Sequence, residues 1–184
     1  MAGTETHYSL PLPAFDAPVK LLLVVAPYYR DIADALIAGA TATSHKAGAG
    51  VELIEVPGAL EIPTAIRLAH QHANFDGFVA LGCVIRGETT HYDTVCNDSS
   101  RGLMLLGLQG ALIGNGILTV ENRDQAVVRA DPGGQDKGGG AAAAALHLVA
   151  LARRWGRPKG AVGFRPAGAK FRIAGEGSEG PQRA

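Results

Sequence analysis

The chain has 184 residues, a typical length for one domain with a real core, and 47% of them are hydrophobic. Lys and Arg together number 17, as do Asp and Glu, so the formal net charge is +0. That balance argues against a nucleic-acid or membrane-surface protein, and no apolar segment approaches the roughly 18 residues that span a bilayer.

Residues 1–18 are polar and carry Pro11, Pro13 and Pro18, which reads as an arm, with Tyr8-Ser-Leu able to add an edge strand. Leu21 to Ala26 is a continuous apolar run, the pattern of a strand buried on both faces. Pro27-Tyr-Tyr breaks it. From Asp31, Ile32, Leu36 and Ile37 give helical spacing to about Lys46, with Gly48 and Gly50 as the stop. Val51 to Val56 alternates and predicts a second strand nearer the sheet edge. Pro57-Gly58 follows, then a helix from about Leu60 to His72 that tolerates Pro63 in its first turn. Gly77 to Ile85 predicts a third buried strand, and a helix to about Leu108 carries Val95, Leu103, Leu105 and Leu106. Ile113 to Val120 is a fourth strand, Asn122 to Ala130 a short helix, and Asp131-Pro-Gly-Gly a break. The last helix runs from Lys137 to about Trp155.

Strands alternating with helices predict an α/β fold: a flavodoxin-like three-layer sandwich with a four-stranded parallel sheet in the order 2-1-3-4. The body is 19–156. Beyond it, 157–184 is rich in Gly and Pro and holds six basic side chains against two acidic ones, and reads as a disordered basic tail. Cys83 and Cys96 form no CxxC pair, so neither a disulfide framework nor a zinc site is expected. Reduced thiols, and an N-terminus without a charged stretch leading into an apolar one, point to the cytoplasm.

Ligands of open α/β sheets collect at the carboxyl ends of the strands. Four loops carry distinctive residues there: Pro27-Tyr28-Tyr29, Val56 to Pro63, Arg86-Gly-Glu-Thr-Thr-His91 and Thr119 to Asn122. Thr90 followed by Asp93 fits a capping box, with His91 as the first helical residue. Free backbone N–H groups at a helix start suit an anion, and an imidazole beside them suits proton transfer. His91 reads equally as a surface histidine in an ordinary strand-to-helix loop. Tyr28 stacks on a planar ligand or covers the sheet end. Glu61 accepts hydroxyl protons or stands at a helix start for its dipole. Arg129 and Lys137 bind phosphate or are solvated. The other histidines form no metal-ligand cluster, no GxGxxG motif follows any of the four strands, and Walker A and GxSxG motifs do not occur.

Taken together, Val56-Pro-Gly-Ala-Leu-Glu-Ile-Pro63, Leu81-Gly-Cys-Val-Ile-Arg-Gly-Glu-Thr-Thr-His-Tyr-Asp93, Gly116-Ile-Leu-Thr-Val-Glu-Asn122 and Asp136-Lys-Gly-Gly139 resemble the lumazine synthase family over about residues 19–155. The resemblance implies condensation of 5-amino-6-(D-ribitylamino)uracil with 3,4-dihydroxy-2-butanone 4-phosphate to 6,7-dimethyl-8-ribityllumazine, in riboflavin biosynthesis. It implies His91 as proton donor and acceptor and Tyr28 stacked on the pyrimidine. Ala59, Leu60 and Glu61 hold the ribityl chain, and Cys83, Val84 and Ile85 line the ring. Glu88 and Thr89 seat the phosphate with Arg129, and Lys137 lies nearby. No cofactor and no metal are implied, and the partners are the two small-molecule substrates. Self-association to a homopentamer, with a 60-subunit icosahedral shell left open, would bring Asn115 and Arg129 from an adjacent subunit. Asn115 replaces a common aromatic residue, and Pro27 a common arginine. Two rival readings stand beside this one: a weakly catalytic flavin- or lumazine-binding shell protein, and a flavodoxin-like FMN carrier, which lacks the expected Ser/Thr-rich loop after the first strand.

Overall fold

The computed structural model describes residues 8–156. The tail expected at 157–184 and the first seven residues of the arm lie outside the described residues. The elements run β1 (Val19–Val25), α1 (Arg30–Lys46), β2 (Ala49–Glu55), α2 (Glu61–His72), β3 (Gly77–Ile85), α3 (His91–Leu108), β4 (Ile113–Val120), α4 (Arg123–Ala130) and α5 (Lys137–Gly156). The four strands form one parallel sheet in the order β2-β1-β3-β4. Leu23 stands beside Leu53 on one side and Val79 on the other, and Ala80 stands beside Asn115. This is the three-layer α/β fold, in the strand order expected.

The apolar runs explain the middle of the sheet. Central β1 and β3 are buried along nearly their whole length, whereas edge strand β2 buries only Ala49 fully. One face of the sheet packs with α1, α4 and α5 around Leu21, Leu23, Val25, Leu36, Val79, Leu81 and Leu146. The other face packs with α2 and α3 around Leu22, Val24, Ile62, Ile66, Phe78 and Leu103. Helix α5 comes close because its first turn is glycine. A Cβ on Gly138 would run into the Leu36 carbonyl, and one on Gly114 of β4 into the Ala141 carbonyl. Asp136 caps α5 by accepting a hydrogen bond from the Gly139 N–H at 2.9 Å.

Two local expectations are corrected. Gly48, at φ +73°, turns the chain out of α1, but Gly50 lies inside β2. At α3, His91 is the first helical residue, yet Thr90 is itself α-helical in its dihedrals and its side chain makes no capping bond. The capping box does not form, because the Asp93 carboxylate is turned to Arg86.

Candidate active site

Every strand here points its carboxyl end to one rim. There, the residues after β1, β2 and β3 surround a cleft of about 540 Å³, within the usual range for small-molecule sites. Nine of the thirteen residues singled out in the sequence line it: Tyr28, Ala59, Leu60, Glu61, Cys83, Val84, Ile85, Thr89 and His91. Glu88 sits in the same loop without lining the cleft. Asn115, Arg129 and Lys137 lie outside it.

Each wall has a local cause. The Ala26 N–H still donates to Leu81 O at 2.9 Å, and Pro27, without an N–H, then ends the ladder. The chain delivers Tyr28 and Tyr29 edge to face, with centroids 5.0 Å apart. Tyr28 is 76% exposed, an apolar ring facing open space. Burial pushes the Tyr29 hydroxyl above its ordinary range. After β2, the Glu61 N–H donates to Gly58 O at 3.2 Å, and a side chain on Gly58 would press on the Glu61 carboxylate. The end of β3 forms the floor. Burial pushes the Cys83 thiol up to about 11, so it is a neutral wall at ordinary pH and a poor nucleophile.

The turn from β3 into α3 carries His91. Thr89 Oγ1 accepts from the His91 N–H at a long 3.4 Å. The imidazole itself is exposed, and among the described residues neither it nor the Glu61 carboxylate has a side-chain hydrogen bond or ion pair. The site therefore offers a proton-transfer group and a carboxylate acceptor in one mostly apolar cleft. Arg86, just before the turn, is held by Glu121 at 2.8 Å and by Asp93 at 3.3 Å. Arg123 and Asp31 pair at 2.6 Å across the starts of α4 and α1. Among the described residues no three His, Cys, Asp or Glu side chains are grouped as they would be around a metal ion.

Beyond the residues and the four rim loops picked out in the sequence, Ala26, Tyr92 and Val95 also line the cleft. Val95 had a signal: it stands one helical turn beyond His91 and so shares its face. Tyr92 had none of that kind, since its place depends on Arg86 lying over its ring at 4.0 Å.

The three residues outside the cleft have their own neighbours. Asn115 Oδ1 accepts from the Ile117 N–H at 3.0 Å on the exposed side of β4, and Arg129 donates to Gln125 O within α4. Lys137 opens α5.

The family model described as 6,7-dimethyl-8-ribityllumazine synthase matches residues 18–153. A protein of that name from Jannaschia sp. (strain CCS1) is 60% identical over 168 residues, 91% of this chain and 94% of that one. One from Novosphingobium aromaticivorans is 58% identical over 136 residues, 74% of this chain and 98% of that one. A 6,7-dimethyl-8-ribityllumazine synthase 1 from Rhizobium meliloti is 51% identical over 148 residues, 77% of this chain and 97% of that one.

Proposed function

The chain belongs to the 6,7-dimethyl-8-ribityllumazine synthase family, and we propose from that premise that it catalyses the family's condensation at the rim cleft, with His91 moving the protons. It is a transferase of riboflavin biosynthesis. One observation carries the assignment of the site: His91 and Thr89 share one cleft with Tyr28, Glu61 and Cys83–Ile85.

The residues divide by chemistry. Tyr28 stacks on the flat pyrimidine, and the apolar end of β3, Cys83 to Ile85, lines its edge. Ala59, Leu60 and Glu61 follow the ribityl chain, Glu61 accepting hydroxyl protons. Glu88 and Thr89 present the α3 start to the phosphate of the second substrate. His91 then stands between the amine and the phosphate-bearing carbon. Forming the imine, expelling phosphate and closing the ring each need a proton taken up or released, and imidazole serves both directions near neutral pH. A neutral Cys83 fits a reaction without a covalent thiol step. No cofactor enters.

Among the described residues, no Lys or Arg side chain lines the cleft where the phosphate would sit. A homopentamer, in which a neighbour supplies Arg129, Lys137 and Asn115, answers that need. Exposed Leu68 of α2 and Met104, Leu105 and Leu108 of α3 support the same reading, as apolar surface for a neighbour to cover. Measuring mass in solution separates a pentamer from a 60-subunit shell, and a monomer carrying full activity would refute the shared site. Two free cysteines suit the reducing cytoplasm.

The direct test supplies purified full-length protein with both substrates and follows lumazine formation by absorbance. Product is expected between about pH 6 and 8, where histidine titrates. Binding of lumazine or riboflavin with no turnover anywhere in that range would replace the enzyme with a binding protein.

A further inference from the structure

His91 carries the proton transfer in the function proposed above, yet among the described residues no side chain holds its imidazole. A catalytic histidine is ordinarily oriented by a partner on its second nitrogen. Here its place is left to the backbone of the first turn of α3. That turn lacks the usual anchor, since Thr90 makes no side-chain cap and the Thr89 contact is long.

Arg86 supplies four ties at this point. Its N–H donates to Val120 O at 2.9 Å, extending the β3–β4 ladder one residue past the strand. Its Nε donates to Glu121 Oε2 at 2.8 Å, beyond the end of β4. Its Nη1 reaches Asp93 Oδ1 at 3.3 Å, and its guanidinium lies over the Tyr92 ring at 4.0 Å. Tyr92 and Asp93 are the two residues after His91. A planar, forked cation can meet two carboxylates and an aromatic face at once, and an ammonium cannot.

We propose that Arg86 is a positioning residue for the reaction: by clamping Tyr92 and Asp93 to Glu121, it sets the first turn of α3 and with it the reach of His91 and the Gly87–Thr89 phosphate loop. It touches neither substrate. Tyr28, which stacks on the pyrimidine face, and Ala59–Glu61, which follow the ribityl chain, come from the segments after β1 and β2 and stay outside this clamp, while Cys83–Ile85 are held in β3 by the sheet ladder itself. The ion pairs are exposed, so they fix geometry more than they stabilise the fold.

The experiment compares wild type with Arg86→Ala, Arg86→Lys and the double change Asp93→Asn with Glu121→Gln, which keeps the arginine and removes both anchors. His91→Ala is measured beside them. Displacing the histidine by about 1 Å is expected to lower kcat about 10-fold to 100-fold in Arg86→Ala. Arg86→Lys is expected to recover little, the double change to lose about 10-fold, and KM for the ribitylaminouracil to stay within about twofold throughout. The pH midpoints of kcat should stay where wild type has them. Full kcat in Arg86→Ala, or full rescue by lysine with shifted pH midpoints, overturns the proposal: the charge alone would then matter. If Arg86→Ala does not fold, the double change decides, and wild-type kcat there overturns the proposal equally. An active His91→Ala would instead sink the reading on which this inference rests.

Discussion

The two faces of the sheet are built to different standards. On the face of α1, α4 and α5, small residues bring helix α5 against β4 and α1 with no space for a Cβ at Gly114 or Gly138. On the face of α2 and α3, the outer strand is left partly bare: Asn115 and Thr119 are exposed and Ile113 and Ile117 only half-buried. The cleft lies at the carboxyl end of the sheet by the starts of α2 and α3, with Tyr29, Cys83 and Ile85 of the first face also lining it, while the exposed Leu105 and Leu108 lie toward the far end of α3. The first face is completed within the subunit. The other is left open, and the proposed chemistry and the proposed contacts between subunits both use that opening.

Substitutions on the two faces should therefore fail in different ways. The largest effect on stability belongs to the closed face. Leu36→Ala empties a fully buried site and is expected to cost about 2–5 kcal/mol in chemical denaturation, leaving KM values of the folded fraction unchanged. Next is the cleft floor. The Cys83 thiol, raised from 9.0 to about 11 by burial, contributes stability that is whole below pH 9 and lost as pH rises through 11. Denaturation curves should show wild type losing about 2 kcal/mol over that interval that Cys83→Ala does not lose. Equal pH slopes for the two proteins would mean the thiol is not desolvated. Tyr28→Ala, on the open rim, should leave stability alone and raise KM for the pyrimidine about tenfold, the loss of one stacking partner. Smallest is Met104→Ser on exposed α3. It should change subunit stability by less than about 0.5 kcal/mol while lowering the mass seen in solution at low concentration. Unchanged assembly at every concentration would remove α3 from the proposed contact.

What could be read from the chain follows the same division. β3 and β4 were legible to the residue, because an uninterrupted apolar run bounded by Gly77 and Arg86, and a shorter one from Ile113 to Val120, leave little choice of ends. The strand order was expected from four strand–helix units joined by three right-handed crossovers, too few to close a barrel. The start of β2 was missed by two residues, since Gly48 and Gly50 look alike in sequence and only Gly48 has a positive φ. The capping box at Thr90 and Asp93 failed for a non-local reason: Asp93 meets Arg86, and Arg86 meets Glu121, 35 residues away. No local pattern carries that information. The cleft residues on loops after β1, β2 and β3 were legible because strand ends converge by topology. Asn115 came from the family resemblance alone, Arg129 and Lys137 were read from sequence only as phosphate-binding or solvated, and a single subunit holds all three outside the cleft.

The measurement that bears most directly on the account is kcat and both KM values for wild type and His91→Ala, from about pH 6 to 8. The account predicts that the substitution lowers kcat about 100-fold or more, while KM for the ribitylaminouracil stays within about threefold. His91→Ala turning over as fast as wild type would contradict it.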